Sequence, residues 1–89
     1  MMIVTIKYFG LLAEVTNKSE EQLQLDQETI SIVGLQLKLE SLYEGLQNAT
    51  YAVAVNQTIC TTDVAIKNQD VIAFLPQFID PTLKNTILP

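Results

Sequence analysis

Apolar and polar residues alternate from Ile3 to Phe9: Val4, Ile6 and Tyr8 point one way, Thr5, Lys7 and Phe9 the other. A period of two over this span is that of a half-buried strand. Gly10 breaks the alternation, and Leu11-Leu-Ala-Glu begins a connection. Gln22-Leu-Gln-Leu forms a second strand with Leu23 and Leu25 on one face, and Asp26-Gln-Glu ends it. The period then changes. Ile32, Leu35, Leu39, Leu42 and Leu46 recur at spacings of three and four, the stripe of one helix face. Ser31 is a suitable N-cap. Ile30 before it and Leu35 after it have the spacing of a hydrophobic staple. Gly45 suits a left-handed residue closing the helix, while Gly34 in the first turn costs about 1 kcal/mol relative to alanine. Tyr51 to Val55 is a third strand, followed by an Asn56-Gln-Thr turn and a short strand within Ile59 to Thr61. Lys67-Asn-Gln-Asp is a second turn, and Val71 to Leu75 is the last strand. Pro76 ends it, because proline has no N–H for a sheet ladder. One helix among several strands predicts an α+β domain with the helix on one sheet face. Ile32, Leu35, Leu39 and Leu42 are expected to pack against Val4, Ile6, Ile72 and Phe74.

Composition narrows the chemistry. Eighty-nine residues, 48% of them apolar and 17% charged, are enough for one core and unlike a disordered chain. Five lysines face ten carboxylates, for a net charge of -5, with neither arginine nor histidine. Nucleic-acid binding is not expected, since phosphate neutralisation needs clustered cations; a basic protein partner fits the acidic surface better. The apolar runs are too short to span a bilayer and no signal-peptide pattern opens the chain, so a cytoplasmic location is expected. The single cysteine, Cys60, permits no internal disulfide and is expected to be a partly buried, inert thiol. Without histidine the commonest general base is missing, and a transition-metal cluster is not expected. The three glycines, Gly10, Gly34 and Gly45, form no phosphate loop. Glu20, Glu21, Asp26 and Glu28 are read as a solvated hairpin edge that limits self-pairing.

Three pieces of the chain, taken in order, carry a resemblance: Lys7-Tyr-Phe with the following Leu-Leu-Ala-Glu, Ala54-Val-Asn-Gln-Thr, and Asp70-Val-Ile-Ala-Phe-Leu-Pro. Together they resemble the small, sulfur-carrying subunit of molybdopterin synthase over roughly Ile3 to Pro76. The resemblance implies a β-grasp, or ubiquitin-like, fold with a mixed sheet and one main helix. It divides the chain into a β-grasp domain over 1–76 and an atypical C-terminal tail over 77–89. It also implies a function in molybdenum cofactor biosynthesis without a bound cofactor. The small subunit of that family docks on a large catalytic subunit, and its extended terminus, a Gly-Gly activated by an adenylating enzyme, carries sulfur as a thiocarboxylate. Two glycines suit this task, being slim and flexible. Here Asp80-Pro81 occupies the Gly-Gly place and no glycine follows Gly45, so no catalytic residue is assigned. Two alternatives remain open: a β-grasp adaptor that docks without thiocarboxylate chemistry, and a thiamine-type sulfur carrier.

The family's docking surface is carried over residue by residue. Phe9 lies opposite the Val4-Ile6-Tyr8 face, Leu75 lies opposite Ile72 and Phe74, and Ile59 matches an apolar docking position. With Pro76 and Phe78 they form the candidate partner-binding surface. The expected partners are the large subunit of molybdopterin synthase and the adenylating enzyme, with no nucleic acid and no membrane.

Overall fold

The computed structural model describes residues 1–76, so Phe78, Asp80, Pro81 and the rest of the expected tail lie outside the described residues. The described chain runs β1 (Met2–Tyr8), α1 (Leu11–Thr16), β2 (Glu20–Leu25), β3 (Thr29–Ser31), α2 (Ile32–Leu42), a 3-10 turn (Glu44–Asn48), β4 (Tyr51–Val55), β5 (Thr58–Ile59), β6 (Ala65–Lys67) and β7 (Val71–Pro76). Five strands form one sheet in the order β2-β1-β7-β4-β5, and β3 pairs with β6 separately. β1 and β7 run parallel while β1–β2, β4–β7 and β4–β5 are antiparallel. This is the expected mixed sheet of a β-grasp domain.

The alternation along β1 and β7 becomes the two sides of the sheet. Met2, Val4, Ile6 and Tyr8 are buried, as are Ile72 and Phe74, and they share one core with Ile32, Leu35 and Leu39 of α2. α2 begins where its sequence says it should: the Ser31 side chain accepts a hydrogen bond of 3.0 Å from the Gly34 N–H. Asp63 adds a second cap, accepting from the Val33 N–H at 3.1 Å. The hairpin turn is made by Asn56 and Gln57, both at positive φ, 50° and 73°, as a two-residue turn between twisted strands requires.

The structure departs from the expected pattern at the β3–β6 pair, which the alternation does not predict, and around both helices. Leu11–Thr16 is a short helix rather than a connection. It buries Leu12 and Thr16, one turn apart, and closes on Asn17 in the left-handed conformation. α2 ends at Leu42, with Tyr43 extended at φ −127°. Leu42 is therefore exposed at 57%, while Leu46 reaches the core through the 3-10 turn. Gly45 has no left-handed role. A Cβ there would come within 2.8 Å of Val15 Cγ1, so its bare backbone lets the 3-10 turn lie against α1. Among the described residues no helix is long and apolar enough to cross a membrane.

Candidate functional site

The sheet face opposite the core is set by strand register. Lys7, Ala73, Ala54 and Ile59 pair across β1, β7, β4 and β5, so all four side chains stand on one side. The next row begins at Phe9, whose N–H donates to the Phe74 carbonyl at 3.1 Å and so extends the β1–β7 ladder past Tyr8. Leu75 follows on β7 and pairs with Ala52 on β4. Phe9 and Ile59 are exposed, at 45% and 54%, while Leu75 is half-buried. Phe9 and Leu75 are neighbours on adjacent strands; Ile59 stands two strands beyond Leu75 and one row back, about 12 Å away. The alanines between them, Ala52, Ala54 and Ala73, leave a shallow apolar floor.

Pro76 closes β7, paired with Tyr51 and exposed to solvent. Gly10 touches it from the start of α1, at φ +57°. Leu11, exposed at 67%, lies beside this contact and was not singled out by sequence reasoning. Its signal, one leucine of a Leu-Leu pair, does not say which of the two faces out; the structure buries Leu12. Phe78 lies outside the described residues.

Beneath the sheet runs an aromatic row. The Tyr8 ring meets Tyr43 and Phe74 edge-on at centroid distances of 6.1 and 5.8 Å, and Phe74 stacks on Tyr51 at 4.9 Å. Its hydroxyls are anchored by two carboxylates. Tyr8 and Tyr43 donate to Glu21 Oε2 at 2.6 and 2.8 Å, and Tyr51 donates to Glu40 Oε2 at 2.7 Å. Burial and then the bond to Glu21 push the Tyr8 phenol well above the usual tyrosine range; burial and Glu40 do the same to Tyr51. At Glu21 burial pushes the carboxyl up, but the bonds from Tyr8, Tyr43 and Lys18 outweigh it and hold the group below its usual value. Glu21 thus departs from the expected solvated edge, whereas Glu20, Asp26 and Glu28 are exposed. Cys60 is half-buried, its thiol donating to the Thr58 carbonyl at 3.5 Å. It lines an open depression of about 490 Å³ between α2 and β4–β5. Among the described residues no cluster of carboxylates or thiols could hold a metal ion.

The apolar side of the sheet thus runs to the end of β7, the last described strand. The ThiS family model matches residues 6–78. The chain belongs to the ThiS family of ubiquitin-like sulfur carriers. No curated protein matches the chain. Among solved structures it is similar to a protein described as molybdopterin converting factor, subunit 1, from Pyrococcus furiosus, at 19% identity and TM-score 0.78, over 88% of this chain and 100% of that one. It is also similar to small archaeal modifier protein 1 from Methanosarcina acetivorans, at 19% identity and TM-score 0.71, over 90% of this chain and 97% of that one. The HVO 2177 protein of Haloferax volcanii matches at 16% identity and TM-score 0.74, over 88% and 85%. At these identities the likeness establishes the fold, which in this ThiS-family chain is the β-grasp.

Proposed function

We propose that this ThiS-family chain is the small subunit of a cytoplasmic molybdopterin synthase, acting in molybdenum cofactor biosynthesis, and that it docks on the large catalytic subunit through Phe9, Ile59, Leu75 and Pro76. One observation carries the reading: the exposed Phe9 stands in register with Leu75 on the open face, at the end of β7 from which the chain continues toward residue 77. Exposed aromatic and aliphatic residues over a floor of alanines offer a partner apolar surface without rearranging the core. The adenylating enzyme of the pathway is the second partner. The test is capture of a recombinant molybdopterin synthase large subunit. Wild-type chain binds; Phe9→Asp keeps its unfolding midpoint and loses binding. Unchanged binding by Phe9→Asp removes the patch from the interface.

A second reading, docking without sulfur transfer, is favoured by Asp80-Pro81 at the place where the resemblance puts Gly-Gly. An aspartate adds charge and a proline adds a rigid ring where bare backbone suits a narrow channel. Intact-mass measurement after incubation with adenylating enzyme, ATP and a sulfur donor separates the two. Exchange of one oxygen for sulfur supports the carrier; an unchanged mass with retained docking supports the adaptor.

A further inference from the structure

Gly10 stands where β1 gives way to α1, at φ 57° and ψ −133°, a conformation that residues with a side chain rarely adopt. The Phe9 N–H bond to the Phe74 carbonyl draws the end of β1 alongside β7, and the Leu12 N–H bond to the Phe9 carbonyl, 3.0 Å, turns the chain into α1. The turn lays Gly10 directly on the Pro76 ring. A Cβ at Gly10 would lie 2.7 Å from Pro76 Cγ, about 1 Å closer than carbon atoms ordinarily pack. Glycine is therefore required twice, once for its backbone angles and once for the space under the ring. A change of ring pucker moves Cγ alone, but Cδ is bonded to the backbone N, so relief beyond pucker shifts the backbone of Pro76 with the ring.

We propose that Gly10 is a positioning residue for the partner: it seats the Pro76 ring and so fixes where the last residue of β7 stands at the end of the docking face. This rests on the docking reading above. The two demands on Gly10 can be separated. In a Pro76→Ala background the nearest remaining atom to an added Cβ at position 10 is the residue 76 Cβ, at 3.8 Å, an ordinary contact. The backbone strain at positive φ persists in either background.

The experiment is a double-mutant cycle on the whole chain with Gly10→Ala and Pro76→Ala. Affinity for the recombinant molybdopterin synthase large subunit and the urea midpoint are measured for each. The midpoint falls on adding Gly10→Ala in both backgrounds, reporting strain. Affinity falls about tenfold with Gly10→Ala when Pro76 is present, the scale of one displaced interface contact, and changes less than about twofold in the Pro76→Ala background. Equal losses in both backgrounds, or no loss in either, overturn the proposal. If Gly10→Ala yields too little folded protein, the seat is removed from the other side: Pro76→Ala, which keeps Gly10 and its backbone, lowers affinity about tenfold, and unchanged affinity overturns the proposal. Phe9→Asp run alongside tells the two readings apart. If it binds like wild type, the docking reading fails and the inference with it; if it loses binding while Gly10→Ala does not, only the role of Gly10 falls.

Discussion

Glu21→Gln tests the carboxylate that anchors the aromatic row. In the folded chain Glu21 Oε2 accepts from Tyr8 at 2.6 Å and Tyr43 at 2.8 Å, and Lys18 Nζ reaches Oε1 at 3.3 Å. The Glu21 side chain is 16% exposed and that of Lys18 is 40% exposed. A hydrogen bond to a charged group contributes about 1.5–3 kcal/mol net. The two tyrosine bonds share one oxygen, so they do not add fully, and the exposed lysine contributes under about 1 kcal/mol. Glutamine keeps an acceptor for the tyrosines but removes the charge and points its amide hydrogens at Lys18. A loss of about 2 kcal/mol is expected at neutral pH, a fall in Tm of roughly 8–16 °C for a domain of this size. The pH dependence has a definite sign. The folded carboxyl titrates below its unfolded value, so its stabilisation is present above about pH 4.3, the free glutamate value, and is lost as pH falls through the lower folded value. Urea unfolding of both proteins from neutral to strongly acid pH therefore shows a gap that closes in acid. Equal stability at neutral pH, or a gap unchanged in acid, refutes the account.

Three further outcomes are expected. Leu39→Ala removes a side chain with no exposed surface at the centre of the core and costs about 2–5 kcal/mol in urea unfolding; a loss below about 0.5 kcal/mol would take Leu39 out of the core. Gln57→Gly relieves a side chain at φ 73° in the β4–β5 turn and raises stability by about 0.5–1 kcal/mol, a gain readable as a higher urea midpoint and refuted by a lower one. Ser31→Ala leaves the Gly34 N–H without its cap and costs about 1 kcal/mol, which Ser31→Asp largely restores.

Elements that repeat one period over six or more residues were readable along the chain. β1 and β7 alternate cleanly, and α2 carries its stripe behind a capping serine, so the fold class followed from them. The rest depends on contacts distant in sequence. In α1, Leu11, Leu12, Ala13 and Val15 are apolar on nearly every side, and six residues are too few to show which face is buried. β3 and β6 have three residues each, and the Thr29 hydroxyl bond to the Ile66 carbonyl spans 37 positions. Gly45 resembles a helix terminator until Val15 is placed against it. Glu21 reads as part of a solvated edge by its charge, yet its position says otherwise. It shares the face of Leu23 and Leu25, so a carboxylate there had to find donors. The open face at Phe9 and Leu75 followed from alternation, whereas the Gly10–Pro76 contact required the parallel pairing of β1 with β7.

That pairing ties stability and the proposed docking face to adjacent residues. Tyr8 and Phe74 are register partners buried in the aromatic row, and the residue after each, Phe9 and Leu75, turns to the other side of the sheet. The row is held at both ends, by Glu21 from β2 and by Glu40 from α2. A rigid row below fixes the plane of the strands above it, and the strand plane fixes where Phe9 and Leu75 stand. Residues on the proposed docking side of β1 and β7 can therefore vary without touching the contacts that stabilise the domain on the other. At Gly10 and Pro76 the two strands end against each other, and the separation between faces closes: a methyl group there strains the backbone and displaces the last residue of β7 together.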